Sequence, residues 1–235
     1  MESARVSPAE IARFAALAPQ WWDERGPMRE LHRMNPLRVG WITSRIRARL
    51  GAGPLEVLDL GCGAGIATEA LARSGFQMTG VDGAAEAIGV ARAHAEQAGL
   101  TIAYRAGLAE DLLAEGRIFA AVTALEIIEH VPDQAAFVRT LGRLLQPGGL
   151  LFISTLNRTL ASLAVAKIGA EYIARLLPAG THDWRKFVKP EALAAMARAA
   201  GLRPMDVSGM ARDPLAGTWR ASRNTGINYI AAFEK

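Results

Sequence analysis

Three groups of residues in this chain have the types and spacing for chemistry. The first is Glu56-Val57-Leu58-Asp59-Leu60-Gly61-Cys62-Gly63-Ala64-Gly65. An apolar run carrying one acid leads into glycines at every second position. A turn without Cβ atoms lets a ligand lie against the backbone, which points to a nucleotide-like cofactor over the end of a strand. The second group is Glu126-Ile127-Ile128-Glu129-His130, two carboxylates and an imidazole within five positions. Such a set can hold a divalent cation through oxygen and nitrogen. It can equally supply the general base for a phenol, or pack at a strand end with a glutamate paired to an arginine. The third group is scattered. Arg38 is a fixed cation able to pair with the carboxylate of an amino-acid-like cofactor. Asp82 can accept both hydroxyls of a ribose. His182, in Gly180-Thr181-His182-Asp183, is a second candidate base on a segment able to fold over a pocket.

The spacing decides between cofactors. A dinucleotide fingerprint, G-x-G-x-x-G, needs its third glycine at position 66. Ile66 stands there, and the third glycine is Gly65. The pattern D-x-G-x-G-x-G has no pyrophosphate to seat, and Asp59 is placed to accept a hydrogen bond from a charged amine. With Asp82 seventeen residues past Gly65, the arrangement resembles the S-adenosylmethionine (SAM) pocket of class I methyltransferases. Cys62, inside the turn, reads as packing, since nothing marks it as an activated thiolate.

These residues need a scaffold, and the pattern supplies one. Strands are expected over 55–60, 77–82, 101–104, 119–125 and 150–155, with helices over 66–73, 84–98 and 134–145. Strands alternating with helices at short intervals imply a doubly wound, mostly parallel α/β sheet. Ligands in such sheets bind at the carboxyl ends of the strands, and Gly61, Asp82, residues 108–111 and Leu125 all map to that edge. Before the first strand, 8–33 reads as helical up to a break at Gly26-Pro27, and a further helix is expected over 37–50. The paired Trp21-Trp22 is costly to expose, so it is expected to pack on the main domain or cover a pocket. After the fifth strand, 156–190 interrupts the sheet with an amphipathic helix over 161–177 and a basic, aromatic stretch. That suits a lid over a greasy substrate or contact with a membrane surface. A last helix over 191–200, a strand over 202–210, a polar loop over 214–224 and a strand over 228–233 complete the chain. It reads as one domain over 1–235: a helical cap (1–50), a cofactor-binding core (51–155), the insertion (156–190) and the remainder of the core (191–235).

The totals bound the partners. With 235 residues, 51% hydrophobic, the chain is long enough to bury a sizeable core. One cysteine excludes an internal disulfide and a cysteine-based zinc cluster. Net charge is +4, but residues 51–154 carry 6 Lys/Arg against 12 Asp/Glu, while 155–235 carry 12 against 6. A basic flank suits an anionic lipid surface. With no Lys/Arg-rich run, nucleic acid is not an expected partner. The first thirteen residues lack the apolar core of a secretory signal, and no stretch is apolar enough to span a bilayer. The expected place is the cytoplasm, either free or peripheral on the inner face of the cytoplasmic membrane.

Several segments then occur in order: Trp21-Trp22-Asp23, Leu31-His32-Arg33-Met34-Asn35-Pro36-Leu37-Arg38, the glycine turn, Glu126-Ile127-Ile128-Glu129-His130-Val131-Pro132, Ser154-Thr155-Leu156-Asn157-Arg158, Gly169-Ala170-Glu171-Tyr172-Ile173 and Gly180-Thr181-His182-Asp183. From about residue 12 to the last strand, the chain resembles the ubiquinone-biosynthesis O-methyltransferases, bacterial and mitochondrial. The resemblance implies a SAM-dependent enzyme that methylates one hydroxyl of a polyprenyl catechol (2-polyprenyl-6-hydroxyphenol) and later that of 3-demethylubiquinol. Another small phenol is the alternative substrate. It implies Arg38, Gly61, Asp82 and Leu125 at the cofactor, joined by Asp59 and Gly63 of the turn. Glu126, Glu129 and His130 fall where mitochondrial members hold a divalent ion (Mg or Zn), and 160–185 falls where bacterial members touch lipid. Catalytic roles fall to Glu129, His130 and His182. Other enzymes of the ubiquinone pathway are further expected partners. Two departures stand out: Leu125 replaces a methionine of some members, and Leu108 stands where many methyltransferases carry an acid near the adenine.

Overall fold

The computed structural model describes residues 8–163, 184–213 and 216–235. Its strands are β1 (Glu56–Leu60), β2 (Gln77–Asp82), β3 (Ala103–Ala106), β4 (Phe119–Leu125), β5 (Leu145–Leu156), β6 (Arg203–Arg212), β7 (Trp219–Ser222) and β8 (Asn228–Glu234). They form one sheet in the order β3-β2-β1-β4-β5-β8-β6-β7. The β3-to-β5 half is parallel. β8 pairs antiparallel with both β5 and β6, and β7 closes the far edge against β6.

The helices are α1 (Pro8–Leu17), α2 (Arg29–Leu50), α3 (Ile66–Arg73), α4 (Ala85–Gln97), α5 (Ala109–Ala114), α6 (Gln134–Arg143) and α7 (Pro190–Ala199). Alternation along the strands divides the core between the two faces of the sheet. Leu58 and Val122 pack with Phe137 and Leu141 of α6 and Leu193 of α7. Val57 and Phe152 pack with Ile42 and Ile46 of α2 and Leu71 of α3. All seven residues of β4 are buried, as expected of a central strand covered on both faces; its one polar member, Thr123, is hydrogen-bonded to β1.

The structure moves several expected boundaries. α2 begins at Arg29 and carries Pro36 inside it, so Pro36 does not separate two helices and Arg38 lies well within one. β3 starts two residues late, and the short α5 follows it. β5 begins at Leu145, with Pro147-Gly148-Gly149 as an irregularity within the strand, where the register against β4 shifts. The expected polar loop holds β7, hydrogen-bonded along β6. The expected helix over 161–177, apart from its first three residues, and His182 lie outside the described residues.

Candidate active site

β1 ends in the glycine turn at the carboxyl edge of the parallel half. Gly61, Gly63 and Gly65 all have positive φ, at 74°, 54° and 91°, a conformation that L side chains rarely adopt. Space enforces the same choice. A Cβ on Gly61 would collide with Ile127, one on Gly63 with the Trp21 ring, and one on Gly65 with Tyr104.

Two acids hold this turn. Asp82, ending β2, accepts from the Gly63 N–H at 2.9 Å and from the Ala84 N–H at 2.8 Å. Asp59 is buried in β1 and accepts from the hydroxyls of Thr68 at 2.5 Å and Thr123 at 2.7 Å. Both Asp59 oxygens thus bind β1 to α3 and β4, where the sequence suggested an acceptor for a ligand amine. Burial raises the Asp59 carboxyl pKa, opposed by the two threonine hydroxyls and the Arg38 charge.

Arg38 reaches the same edge from α2. It is 3% exposed, yet its Nε has no hydrogen-bond partner among the described residues. Its Nη2 makes only a 3.5 Å contact to Asn35 Oδ1, and Asn35 in turn donates to the Ile66 carbonyl at the start of α3. Burial lowers the guanidinium pKa, while the charges of Glu126 and Asp59 oppose that shift. A buried cation with an unused donor is the group an anionic ligand would complete.

Leu125 ends β4, buried, and the next residue breaks the strand. Glu126, at φ 55°, is the only non-glycine residue with positive φ among those described. Its amide bonds to the Ser154 carbonyl at 3.0 Å, and its Oε1 accepts from Ser154 Oγ at 2.6 Å. Glu129 is 5% exposed, and its Oε2 accepts from Thr155 Oγ1 at 2.8 Å. Burial, with the neighbouring Glu126 charge, pushes the Glu129 carboxyl up to about 8. His130 is also buried and meets the Phe14 ring edge-on at 5.2 Å. The three side chains expected as metal donors thus turn to different neighbours. Among the described residues, no group of three His, Cys, Asp or Glu is arranged to hold a metal ion. As placed, Glu126, Glu129 and His130 do not fit a three-donor site.

The structure therefore gathers Arg38, Asp59, Gly61, Gly63, Asp82, Leu125, Glu126, Glu129 and His130 along one edge of the sheet. The aromatic cover was legible only in part. The sequence expected Trp21-Trp22 to pack on the domain or cover a pocket, and Trp21 lies against Gly63. Phe14 over His130 and His94 beneath Trp22 carried no sequence signal, because their partners lie far along the chain.

The parallel half, the glycine turn and the acid ending β2 define a SAM-dependent methyltransferase of class I fold. A family model described as a methyltransferase domain matches residues 28–207. Among solved structures, the plantazolicin methyltransferase BpumL superposes with TM-score 0.66 at 16% identity, covering 97% of this chain and 96% of that one. A magnesium protoporphyrin IX methyltransferase from Synechocystis PCC 6803 gives 0.61 at 20% identity, over 84% and 81%. At that identity the likeness is one of fold. The curated relatives are far nearer. The ubiquinone biosynthesis O-methyltransferase of Methylobacterium sp. (strain 4-46) is 46% identical over 98% of this chain and 96% of its own length. That of Xanthomonas axonopodis pv. citri (strain 306) is 48% identical over 98% and 95%. The chain belongs to the ubiquinone biosynthesis O-methyltransferase family.

Proposed function

We propose that this chain methylates a hydroxyl of a polyprenyl catechol and, at a later step, the hydroxyl of 3-demethylubiquinol. The observation that carries this reading is identity of 46–48% to relatives of that name along nearly the whole chain. The cofactor site is assigned as follows. Arg38 takes the carboxylate of the amino-acid moiety, Asp82 the ribose hydroxyls, Gly61 and Gly63 the close backbone approach, and Leu125 an apolar contact. Asp59 acts from beneath by holding the turn.

When bound, SAM supplies a methyl group already activated on a sulfonium. What remains for the protein is to align a nucleophilic oxygen, exclude water and remove a proton. A catechol hydroxyl titrates at about 10, as tyrosine does, so it needs a base near neutral pH. Glu129 and His130 are the candidates among the described residues, and His182 is a third. Glu129 is favoured by its raised pKa, which puts its proton affinity nearer that of the phenol.

The membrane part of the reading rests on charge and exposed apolar surface. Leu160 and Ile227 are exposed, and Thr159 Oγ1 donates to the Gly226 carbonyl, joining their segments. Arg158 stands two positions before Leu160 and donates to the carbonyl of Arg185, next to Lys186. An anionic bilayer would deliver a polyprenyl substrate to that side. No helix among the described residues is long and apolar enough to cross a membrane.

The test is methyl transfer from labelled SAM to a short-chain polyprenyl catechol, with and without chelator. Product supports the reading, and a rate insensitive to chelator keeps the base on the protein. Loss with chelator and recovery with a divalent cation would restore the metal role of Glu126, Glu129 and His130. Methylation of simple phenols in preference to the polyprenyl catechol would move the substrate to another small phenol. No transfer, despite SAM binding, would overturn the substrate assignment.

A further inference from the structure

The glycine turn is enclosed by a circuit of side chains from three separate elements. Glu69, one turn into α3, is fully buried and accepts from Arg73 at 2.8 Å. Its other oxygen lies 2.7 Å from His94 Nδ1 on α4. The outer face of that imidazole carries the Trp22 indole, stacked at 3.4 Å between centroids and 4° between planes. Trp22 Nε1–H then donates 2.9 Å to the carbonyl of Ala64, within the turn from which α3 starts. The circuit thus runs from the turn through α3, α4 and the segment before α2 and back to the turn.

The neighbouring residues bring it to the cofactor site. Trp21 packs against Gly63, whose N–H bonds Asp82. The Trp21 carbonyl lies 2.9 Å from His32 Nε2, and His32 meets Trp22 edge-on at 5.7 Å. Phe14 links Trp21, at 6.3 Å, to His130, at 5.2 Å. Ile11 covers Gly83, next to Asp82. α1 and the segment after it therefore lie over the carboxyl edge at Gly63, Gly83 and His130.

We infer that Glu69 and His94 are positioning residues for SAM: they hold Trp22 on Ala64, and through it Trp21 on Gly63, so that the aromatic cover closes the cofactor turn. A buried carboxylate fixes one ring nitrogen of His94 and so fixes the plane against which Trp22 stacks. A stacked ring and one hydrogen bond cover the range from threefold to about tenfold in a binding constant. The inference rests on the cofactor assignment and is independent of which phenol accepts the methyl group.

The experiment uses the full chain. The Kd for S-adenosylhomocysteine is read from intrinsic tryptophan fluorescence. KM for SAM and kcat come from methyl transfer to the polyprenyl catechol. His94→Ala is expected to raise Kd and KM for SAM together by about tenfold, with kcat at saturating SAM within about twofold. His94→Phe, which keeps a stacking ring, is expected to recover most of the affinity. Trp22→Phe keeps the ring and loses the N–H, and is expected to cost about threefold. It serves as the second variant if His94→Ala does not fold. The inference is overturned if folded His94→Ala binds the ligand as wild type does, if His94→Phe is no better than His94→Ala, or if kcat falls while KM for SAM stays put. Wild-type protein that binds no ligand would instead overturn the cofactor assignment itself.

Discussion

Asp82 Oδ2 sits 2.9 Å from the amide nitrogen of Gly63, joining the end of β2 to the centre of the glycine turn. The acid assigned to the ribose is thus also the acid that shapes the turn. Asp82→Ala removes both functions, and SAM affinity is expected to fall between tenfold and about a hundredfold, the range for one charge-assisted contact. Asp82→Asn keeps one acceptor and should lie between. Calorimetric titration with S-adenosylhomocysteine checks both.

Arg38 leads to a different expectation. Its Nε is buried without a partner among the described residues, and the guanidinium geometry suits a carboxylate held in two places. Arg38→Lys keeps the charge but not the fork, so it is expected to behave nearer to Arg38→Ala than to wild type, with KM for SAM raised at least about tenfold. Steady-state kinetics with varied SAM would show it. A lysine variant with wild-type KM would remove Arg38 from the carboxylate site.

Glu129 sets a pH dependence. Burial and the Glu126 charge raise its carboxyl from 4.5 to about 8, so it is mostly protonated at neutral pH and its basic form grows as pH approaches that value. If it deprotonates the phenol, kcat rises with pH and levels off above about 8. Glu129→Gln should abolish that rise and lower kcat about a hundredfold or more. Stability runs the other way. Because the folded pKa lies above the unfolded one, the unfolded chain releases this proton first. The contribution is present below 4.5 and lost as pH rises towards 8. Urea midpoints at pH 5 and pH 8 should show the decline, and Glu129→Gln should flatten it.

Asp59 is a matter of stability more than of binding. Asp59→Ala orphans the buried Thr68 hydroxyl and leaves Thr123 only its 3.2 Å bond to the Leu58 carbonyl. A loss of about 2–3 kcal/mol is expected from a broken buried network. Chemical denaturation measures it. SAM affinity should weaken less than in Asp82→Ala, since Asp59 acts through the shape of the turn.

The sequence spelled out the β1-turn-α3 unit well, because a short apolar run, spaced glycines and an amphipathic octet are all local signals. α3 falls on the expected residues 66–73, and β4 on 119–125. The misses have physical reasons. Pro36 looked like a helix boundary, yet α2 passes through it on its exposed face: the lost N–H and the crowding of the carbonyl four residues back are offset by the packing of Met34, Ile42 and Ile46 on the sheet. Trp219-Arg220-Ala221-Ser222 is too short and polar to announce a strand, and becomes one only by pairing along β6. The residues proposed to bind the cofactor were singled out by motif spacing, which is a local signal. The Glu69–His94–Trp22 circuit was not, because its links join residues 25 and more positions apart, and only the packed fold brings them together.

The placement of β8 has a consequence for synthesis on the ribosome. Residues 228–234 form an interior strand between β5 and β6, although both neighbours precede it in the chain. The cofactor edge, from β1 to β4, can assemble from residues already emerged, while β5 keeps one open flank until the final strand is made. A nascent chain that stalls before Asn228 would carry a nearly complete nucleotide pocket beside an unpaired, strongly apolar strand. That is the kind of edge that recruits foreign strands. The order of translation therefore places the aggregation hazard of this fold at the stretch that encodes β8, away from the residues proposed for the chemistry.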